Sequence, residues 1–117
     1  MPKIYQLSTC NTCQRILGEL PERKDLEIVN IKTEPLTEHQ VDELAQLAGS
    51  YEALFSRHAR KYRSRGLNKQ ELSEADYKRL LLEEYTFLKR PVIVVDDQIF
   101  IGNRPKAVDG AKAALAK

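Results

Sequence analysis

The sequence has few cysteines, no long hydrophobic run and no large excess of either charge, and each of these absences excludes a class of protein. Only two of its 117 residues are cysteine, too few for a disulfide framework. No hydrophobic run approaches the roughly 20 residues that a membrane-spanning helix requires, so we expect no membrane association. Neither sign of charge dominates, and a formal net charge of +2 does not favour nucleic acid or an anionic membrane as a partner.

The remaining composition is typical of a globular protein. Hydrophobic residues make up 42% and charged residues 31% of the chain, and the length predicts a single domain over residues 1–117. The first residues show no signal-peptide pattern, from which we expect a cytoplasmic protein; we also expect a monomer. Because structural disulfides are rare in the cytosol, the two cysteines are better explained as catalytic, redox-sensing or inert.

The first thirty residues predict a strand, a helix and a second strand. We expect strands over residues 3–7 and 26–31. The helix between them should begin near Asn11 or Thr12 and end before Pro21. This order is a βαβ unit, so the first two strands should be parallel.

A helical insertion at about residues 35–88 comes next. Thr37 and Ser73 begin capping patterns for two of its helices, and two short, basic helical pieces are expected between them, over residues 51–54 and 57–65. The apolar run 92–95 predicts a buried strand with a hairpin partner, and Pro105 suits the first position of a last helix. The order β-α-β, helical insertion, β-β-α predicts an α/β, thioredoxin-like fold with a mixed four-stranded sheet.

Cys10 and Cys13 stand where the first strand gives way to the first helix, in the sequence Cys-Asn-Thr-Cys. Unpaired amides and the helix dipole at such a terminus stabilise a thiolate and lower its pKa below the free value of about 8.5. We therefore assign Cys10, at the exposed cap, as the attacking thiol. Cys13, one turn further on and facing inward, is the resolving thiol. We expect Asn11 and Thr12, between them, to contact substrate.

Other uses of the pair have less support in the sequence. A zinc site needs two further ligands, and His39 and His58 lie apart in charged helical segments, so we expect no metal. A phosphatase-like loop needs an arginine six residues after Cys10, where Ile16 stands. An inert core role suits Cys13 alone but not a cysteine at the tip of a turn.

Two basic features accompany the cysteines. Arg90 and Pro91 precede the third strand, where thioredoxin-like folds place a cis-proline opposite the cysteine pair. Arg90 could then face the Cys10 thiolate; a surface arginine before a trans-proline is the alternative. Residues 57–65 carry five Lys or Arg residues, which could bind an oxyanion, glutathione carboxylates or an acidic partner, or form a solvated helical face.

These motifs together resemble the arsenate reductase (ArsC) family of glutaredoxin-like proteins, which includes the glutathione-linked arsenate reductases, the Spx-type transcriptional regulators and YffB-like reductase-related proteins. The likeness rests on Cys-Asn-Thr-Cys-Gln-Arg at 10–15, Leu-Phe-Ser-Arg at 54–57 and Leu-Lys-Arg-Pro-Val-Ile-Val at 88–94. It covers nearly the whole chain. It implies a cis Pro91, an active-site Arg90 and an anion contact at Arg57.

The resemblance implies two alternative functions. One is a thiol-disulfide oxidoreductase with no bound cofactor, which uses glutathione as co-substrate or acts on protein thiols. The other is an Spx-type regulator whose redox-sensing pair controls binding to the C-terminal domain of the RNA polymerase α subunit.

The chain departs from the arsenate-reducing branch at two positions. That branch generally lacks a second cysteine such as Cys13, and its third arginine is expected near Gly102, with Arg104 two places late. We therefore expect arsenate to be a poor substrate.

Overall fold

The computed structural model describes residues 2–117. Its contacts form two compact units, an α/β unit of residues 2–34 and 90–117 and a helical unit of residues 35–89. That the whole chain makes one domain stays a prediction. Of the helices within residues 2–117, none combines the length and the hydrophobicity that a membrane crossing requires.

Four strands and five α-helices, joined by short 3₁₀ turns, make up the two units. In chain order they are β1 (Lys3–Gln6), α1 (Asn11–Glu19), β2 (Glu27–Asn30), α2 (Glu38–Ala48), α3 (Arg60–Ser64), α4 (Glu74–Glu83), β3 (Val92–Val95), β4 (Gln98–Ile101) and α5 (Pro105–Leu115).

The α/β unit is built on one sheet with the strand order β2-β1-β3-β4. β1 and β2 are parallel, with Lys3 opposite Glu27, whereas β1 and β3 are antiparallel, with Tyr5 opposite Val92. β3 and β4 form an antiparallel hairpin. The predicted mixed sheet and the predicted parallel first pair are both confirmed.

The sheet register decides where the cysteines lie. Because β1 and β3 run in opposite directions, the end of β1 that leads to Cys10 lies beside the start of β3, which follows Pro91. The Gly102 backbone N–H donates to the Pro91 carbonyl at 2.9 Å, so the end of β4 lies at this same end of the sheet. The end of β1, the start of β3 and the end of β4 therefore lie together at one end of the sheet, next to the turn that carries Cys10.

The core of this unit forms where apolar faces of α1 and α5 meet the sheet. Gly110, in the middle of α5, permits this contact: a Cβ built there would lie 2.7 Å from the Phe100 ring. The cluster of buried side chains comprises Ile4, Ile16, Leu20, Ile93, Val95, Val108, Ala111, Ala114 and Leu115.

The helical unit has the capping boxes that the sequence predicts. The Thr37 and Ser73 hydroxyls each accept from the backbone N–H three residues later, at the starts of α2 and α4. An aromatic cluster forms the centre of the unit, with the Phe55 ring stacked on Phe87 at 5.0 Å and edge-on to Tyr77 at the same distance.

The basic helical piece predicted over residues 57–65 is shorter in the structure, where α3 begins at Arg60. The reason lies in the preceding backbone. Ser56 donates its N–H to the Phe87 carbonyl, and Phe55 forms an antiparallel bridge with Leu88. This extended pairing replaces the first helical turn, and Ala59 is still extended, with ψ of 137°.

Candidate active site

Cys10 is the N-cap of α1, with extended backbone angles of φ −92° and ψ 114°. Its N–H donates to the Leu7 carbonyl at 2.9 Å, and its carbonyl accepts from the Gln14 N–H at 3.1 Å. No side chain caps this terminus, so the first amides of the helix are left to the sulfur. As predicted, Cys10 is partly exposed and Cys13 is fully buried.

The surroundings of Cys10 favour its thiolate. Burial opposes ionisation, but the backbone N–H and the thiol of Cys13, the positive charge of Arg90 and the backbone N–H of Thr12 lower the pKa of Cys10 overall. The partial exposure leaves the sulfur accessible. This combination is typical of an attacking thiol.

Cys13 shows the opposite behaviour. Burial raises the pKa of the Cys13 thiol to about 11, opposed by a hydrogen bond from the Leu7 backbone. The hydrogen bond to Cys10 and the negative charge of that neighbour raise it further, while Arg90 lowers it. Cys13 therefore keeps its proton at neutral pH, and its partner is the thiol that ionises.

The peptide bond between Arg90 and Pro91 is cis, as predicted. Pro91 is buried, and Arg90 is partly exposed. The positive charge of Arg90 acts to lower the pKa of both cysteines, which supports the active-site interpretation; the role of Arg90 stays a prediction. The contribution of Pro91 to substrate binding stays a prediction.

The sequence did not single out Gln6, the last residue of β1. Its amide accepts from Gln14 Nε2 and donates to Ser8 Oγ, both at 3.2 Å. One signal was available: the polar Gln6 stands between the apolar residues Tyr5 and Leu7, just before the cysteine motif. The bond from Gln14 could not be predicted from the sequence, because it depends on how α1 packs against β1.

Asn11 and Thr12 form the first helical positions of α1. Asn11 is exposed and Thr12 partly exposed, and the Thr12 backbone supports the Cys10 thiolate. Their contact with substrate stays a prediction.

Arg57 belongs to the helical unit, where it donates to Glu52 Oε2 at 2.5 Å and to the Tyr77 hydroxyl at 3.0 Å. Its guanidinium also lies over the Tyr77 ring, 5.9 Å from the centroid. It lines a cavity of about 550 Å³ whose other walls are Tyr62, Gln70, Glu71, Leu72, Ser73 and Tyr77. These contacts fix the side chain; the predicted anion contact is untested.

Other basic residues of the stretch are also paired within the helical unit. Lys61 bonds Glu84 at 2.6 Å, and Arg65 approaches Glu83 at 3.5 Å. About half of the Lys61 side chain remains exposed, whereas the Glu84 side chain is largely covered. The pairing favours the solvated-face interpretation for much of the stretch.

A thioredoxin-like sheet that carries two cysteines at the start of its first helix, beside a cis-proline, defines the class of thiol-based redox proteins. The chain belongs to the ArsC family, whose model matches residues 5–111. Among curated protein sequences, none matches it.

Several solved structures share this fold along nearly their whole length. A Staphylococcus aureus protein is 28% identical, with a TM-score of 0.77, over 95% of this chain and 98% of that one. The arsenate reductase from Vibrio cholerae has a TM-score of 0.79 at 18% identity, covering 94% of this chain and 96% of its own. An arsenate reductase related protein from Brucella melitensis has a TM-score of 0.72 at 22% identity, covering 93% and 92%.

Proposed function

We propose that this protein is a thiol-disulfide oxidoreductase that receives its electrons from glutathione. The observation that carries the proposal is the inequality of the two thiols. Cys10 is partly exposed at an uncapped helix N-terminus with a lowered pKa, whereas Cys13 is buried with a raised one. An attacking thiol and a resolving thiol need these opposite environments.

The reaction begins with attack by the Cys10 thiolate on one sulfur of a disulfide substrate. The substrate S–S bond breaks, one sulfur joins Cys10 in a mixed disulfide, and the other leaves as a thiolate that takes a proton. The charge on Cys10 is lost at this point, together with its contribution to the raised pKa of Cys13. Cys13 then becomes easier to ionise at the moment when it is needed.

Resolution follows when Cys13 gives up its proton and attacks the Cys10 sulfur. The mixed disulfide breaks, the second substrate thiol is released, and Cys10 and Cys13 are joined in an intramolecular disulfide. Two glutathione molecules then reduce this bond by successive exchange and leave as glutathione disulfide. Two electrons pass from glutathione to the substrate, and both protein thiols are restored.

The other site residues support these steps in the proposal. Arg90 stabilises the thiolate, and Pro91, Asn11 and Thr12 border the substrate beside Cys10. Arg57, in the helical unit, would bind an anion such as a glutathione carboxylate in exchange for its present partner Glu52.

The proposal is tested by following NADPH oxidation through glutathione reductase, with a small-molecule disulfide or a glutathione mixed disulfide as substrate. The intact protein should turn over the substrate, and Cys10→Ser should abolish the reaction. Cys13→Ser should slow it and trap a mixed disulfide on Cys10. Absence of turnover in protein whose thiols are intact would contradict the proposal.

In that event the alternative function is a redox-switched regulator. Its test is a pull-down from cell lysate with and without oxidant. Redox-dependent recovery of the RNA polymerase α subunit would support the regulator, and thiol proteins trapped on Cys13→Ser would support the enzyme.

A further inference from the structure

Gln6 is the one buried polar or charged side chain among residues 2–117, with 3% of its surface exposed. Both ends of its amide are bonded, Oε1 to Gln14 Nε2 and Nε2 to Ser8 Oγ. Breaking either bond would leave a buried polar group without a partner, which costs the full desolvation free energy of that group. The two hydrogen bonds of the Gln6 amide are therefore strongly favoured. Gln6 thereby ties the end of β1 to the loop before Cys10 and to α1.

The same loop is closed by the backbone. Cys10 donates its N–H to the Leu7 carbonyl, and Gln14 donates its N–H to the Cys10 carbonyl. Gln14 is therefore held twice, by Cys10 through its main chain and by Gln6 through its side chain. The Gln6 amide contacts residues on both sides of the cysteine, Ser8 before it and Gln14 after it.

We propose that Gln6 is a positioning residue that fixes, through Ser8 and Gln14, the direction in which Cys10 presents its sulfur to the first turn of α1. The inference rests on the proposed role of Cys10 as the attacking thiol. The sulfur is stabilised by the N–H groups of Thr12 and Cys13, and hydrogen bonds of this kind weaken steeply as the angle departs from linear. Loosening the loop should therefore weaken the support of the thiolate without removing any charge.

The experiment measures the alkylation rate of Cys10 against pH in the fully reduced protein, residue by residue, by mass spectrometry. Gln6→Leu removes the central amide, and Gln14→Met breaks the same chain from its exposed end. Both should move the midpoint of the Cys10 profile upward by roughly half a unit to one unit. Gln98→Met is the matched control, since Gln98 is an exposed amide at the opposite end of the sheet; its profile should be unchanged.

A lower melting temperature with an unchanged pH profile in both variants would overturn the inference, because it would make Gln6 purely structural. If Gln6→Leu fails to fold, Gln14→Met decides alone, since its side chain is exposed and its loss creates no buried cavity. The readout is a thiol titration that needs no substrate. A protein without reductase activity but with the expected shifts would therefore contradict the proposed function and leave the positioning role intact.

Discussion

Cys10 and Cys13 act on each other's ionisation in opposite directions: Cys13 lowers the pKa of Cys10, and Cys10 raises the pKa of Cys13. The interaction favours the thiolate at Cys10 and the proton at Cys13. Because the two sulfurs are coupled, the titration of either one depends on the state of the other. The first two predictions use this dependence.

Cys10 should be alkylated by iodoacetamide faster than Cys13 at neutral pH, with a midpoint below the free-thiol value of about 8.5. Cys13 should react only as the pH approaches about 11, the pKa given by its burial and by the Cys10 charge. Mass spectrometry of peptides from samples quenched along the pH series separates the two sites. Faster reaction at Cys13 would reverse the assigned roles.

The coupling itself is tested by Cys10→Ser. Removing the Cys10 charge takes away one cause of the raised pKa of Cys13, so the alkylation midpoint of Cys13 should fall. It should stay above the free value, because burial acts regardless of the neighbour. A midpoint that does not move would mean that burial alone controls Cys13.

Arg90→Ala should raise the pKa of Cys10, because a nearby positive charge favours the ionised thiol. Arg90→Lys should restore part of the effect, since it keeps the charge but not the planar guanidinium. Lys24→Ala, an exposed cation of the same unit, serves as the control and should leave the profile unchanged. Equal profiles for Arg90→Ala and the intact protein would exclude an electrostatic role for Arg90.

Mild oxidation should join Cys10 and Cys13 within one chain, reversibly by dithiothreitol. Both thiols are free in the structure, with Cys10 at the N-cap of α1 and Cys13 at its third residue, one helical turn apart. The readout is a monomer lighter by two hydrogens in intact-mass spectra. A product dominated by intermolecular dimers, or by sulfinic acid on Cys10, would count against Cys13 as the resolving thiol.

Arsenate should be reduced poorly compared with a disulfide substrate. Charge develops on the arsenate oxygens during reduction, and losing one fixed donor typically costs about 10²–10³ in rate. Gly102, where the resemblance expects an arginine, has φ of +87°, a backbone conformation that disfavours any side chain. The coupled NADPH assay, run with each substrate, measures the ratio.

Efficient arsenate turnover would contradict this prediction and direct attention to Arg104. Arg104 is the N-cap of α5 and lies two positions after Gly102. The N–H of Gly102 itself donates to the Pro91 carbonyl. Loss of the turnover in Arg104→Ala would then identify it as the replacement donor.

Gly110→Ala should destabilise the protein despite the better helix propensity of alanine. Propensity contributes about 1 kcal/mol in favour of alanine, whereas forcing the Phe100 ring to move from 2.7 Å should cost about 1–3 kcal/mol. In a Phe100→Leu background the same change should become neutral or stabilising. Urea unfolding of the four proteins measures the coupling, and identical effects in both backgrounds would show that the ring yields freely.

Much of the α/β unit could be predicted because its signals are local. The apolar run at 92–95 gave β3 with the bounds it has in the structure, and the spacing of Cys10 and Cys13 before an amphipathic helix placed the thiol pair. In the helical unit, the capping boxes at Thr37 and Ser73 could also be predicted, since each is formed within four residues.

What the sequence concealed depends on contacts between distant residues. α3 begins late because Ser56 pairs with Phe87, thirty-one positions away, and no local pattern reports that bridge. The partnership of Arg57 with Tyr77 and the burial of Gln6 are likewise consequences of packing. The sequence shows that residues 57–65 are basic, but it does not show which of these side chains form ion pairs with carboxylates.

The interior position of β1 has a consequence for how the thiols are reached. β1 is bonded on one side to β2 and on the other to β3, so releasing the end that leads to Cys10 requires two ladders to separate. Amide protons of such a strand exchange with deuterium among the last in a domain, because they need nearly global opening. Cys10 follows this strand by only four residues, so we expect the attacking sulfur to be held in place and the first exchange step to require a substrate with a flexible, accessible disulfide.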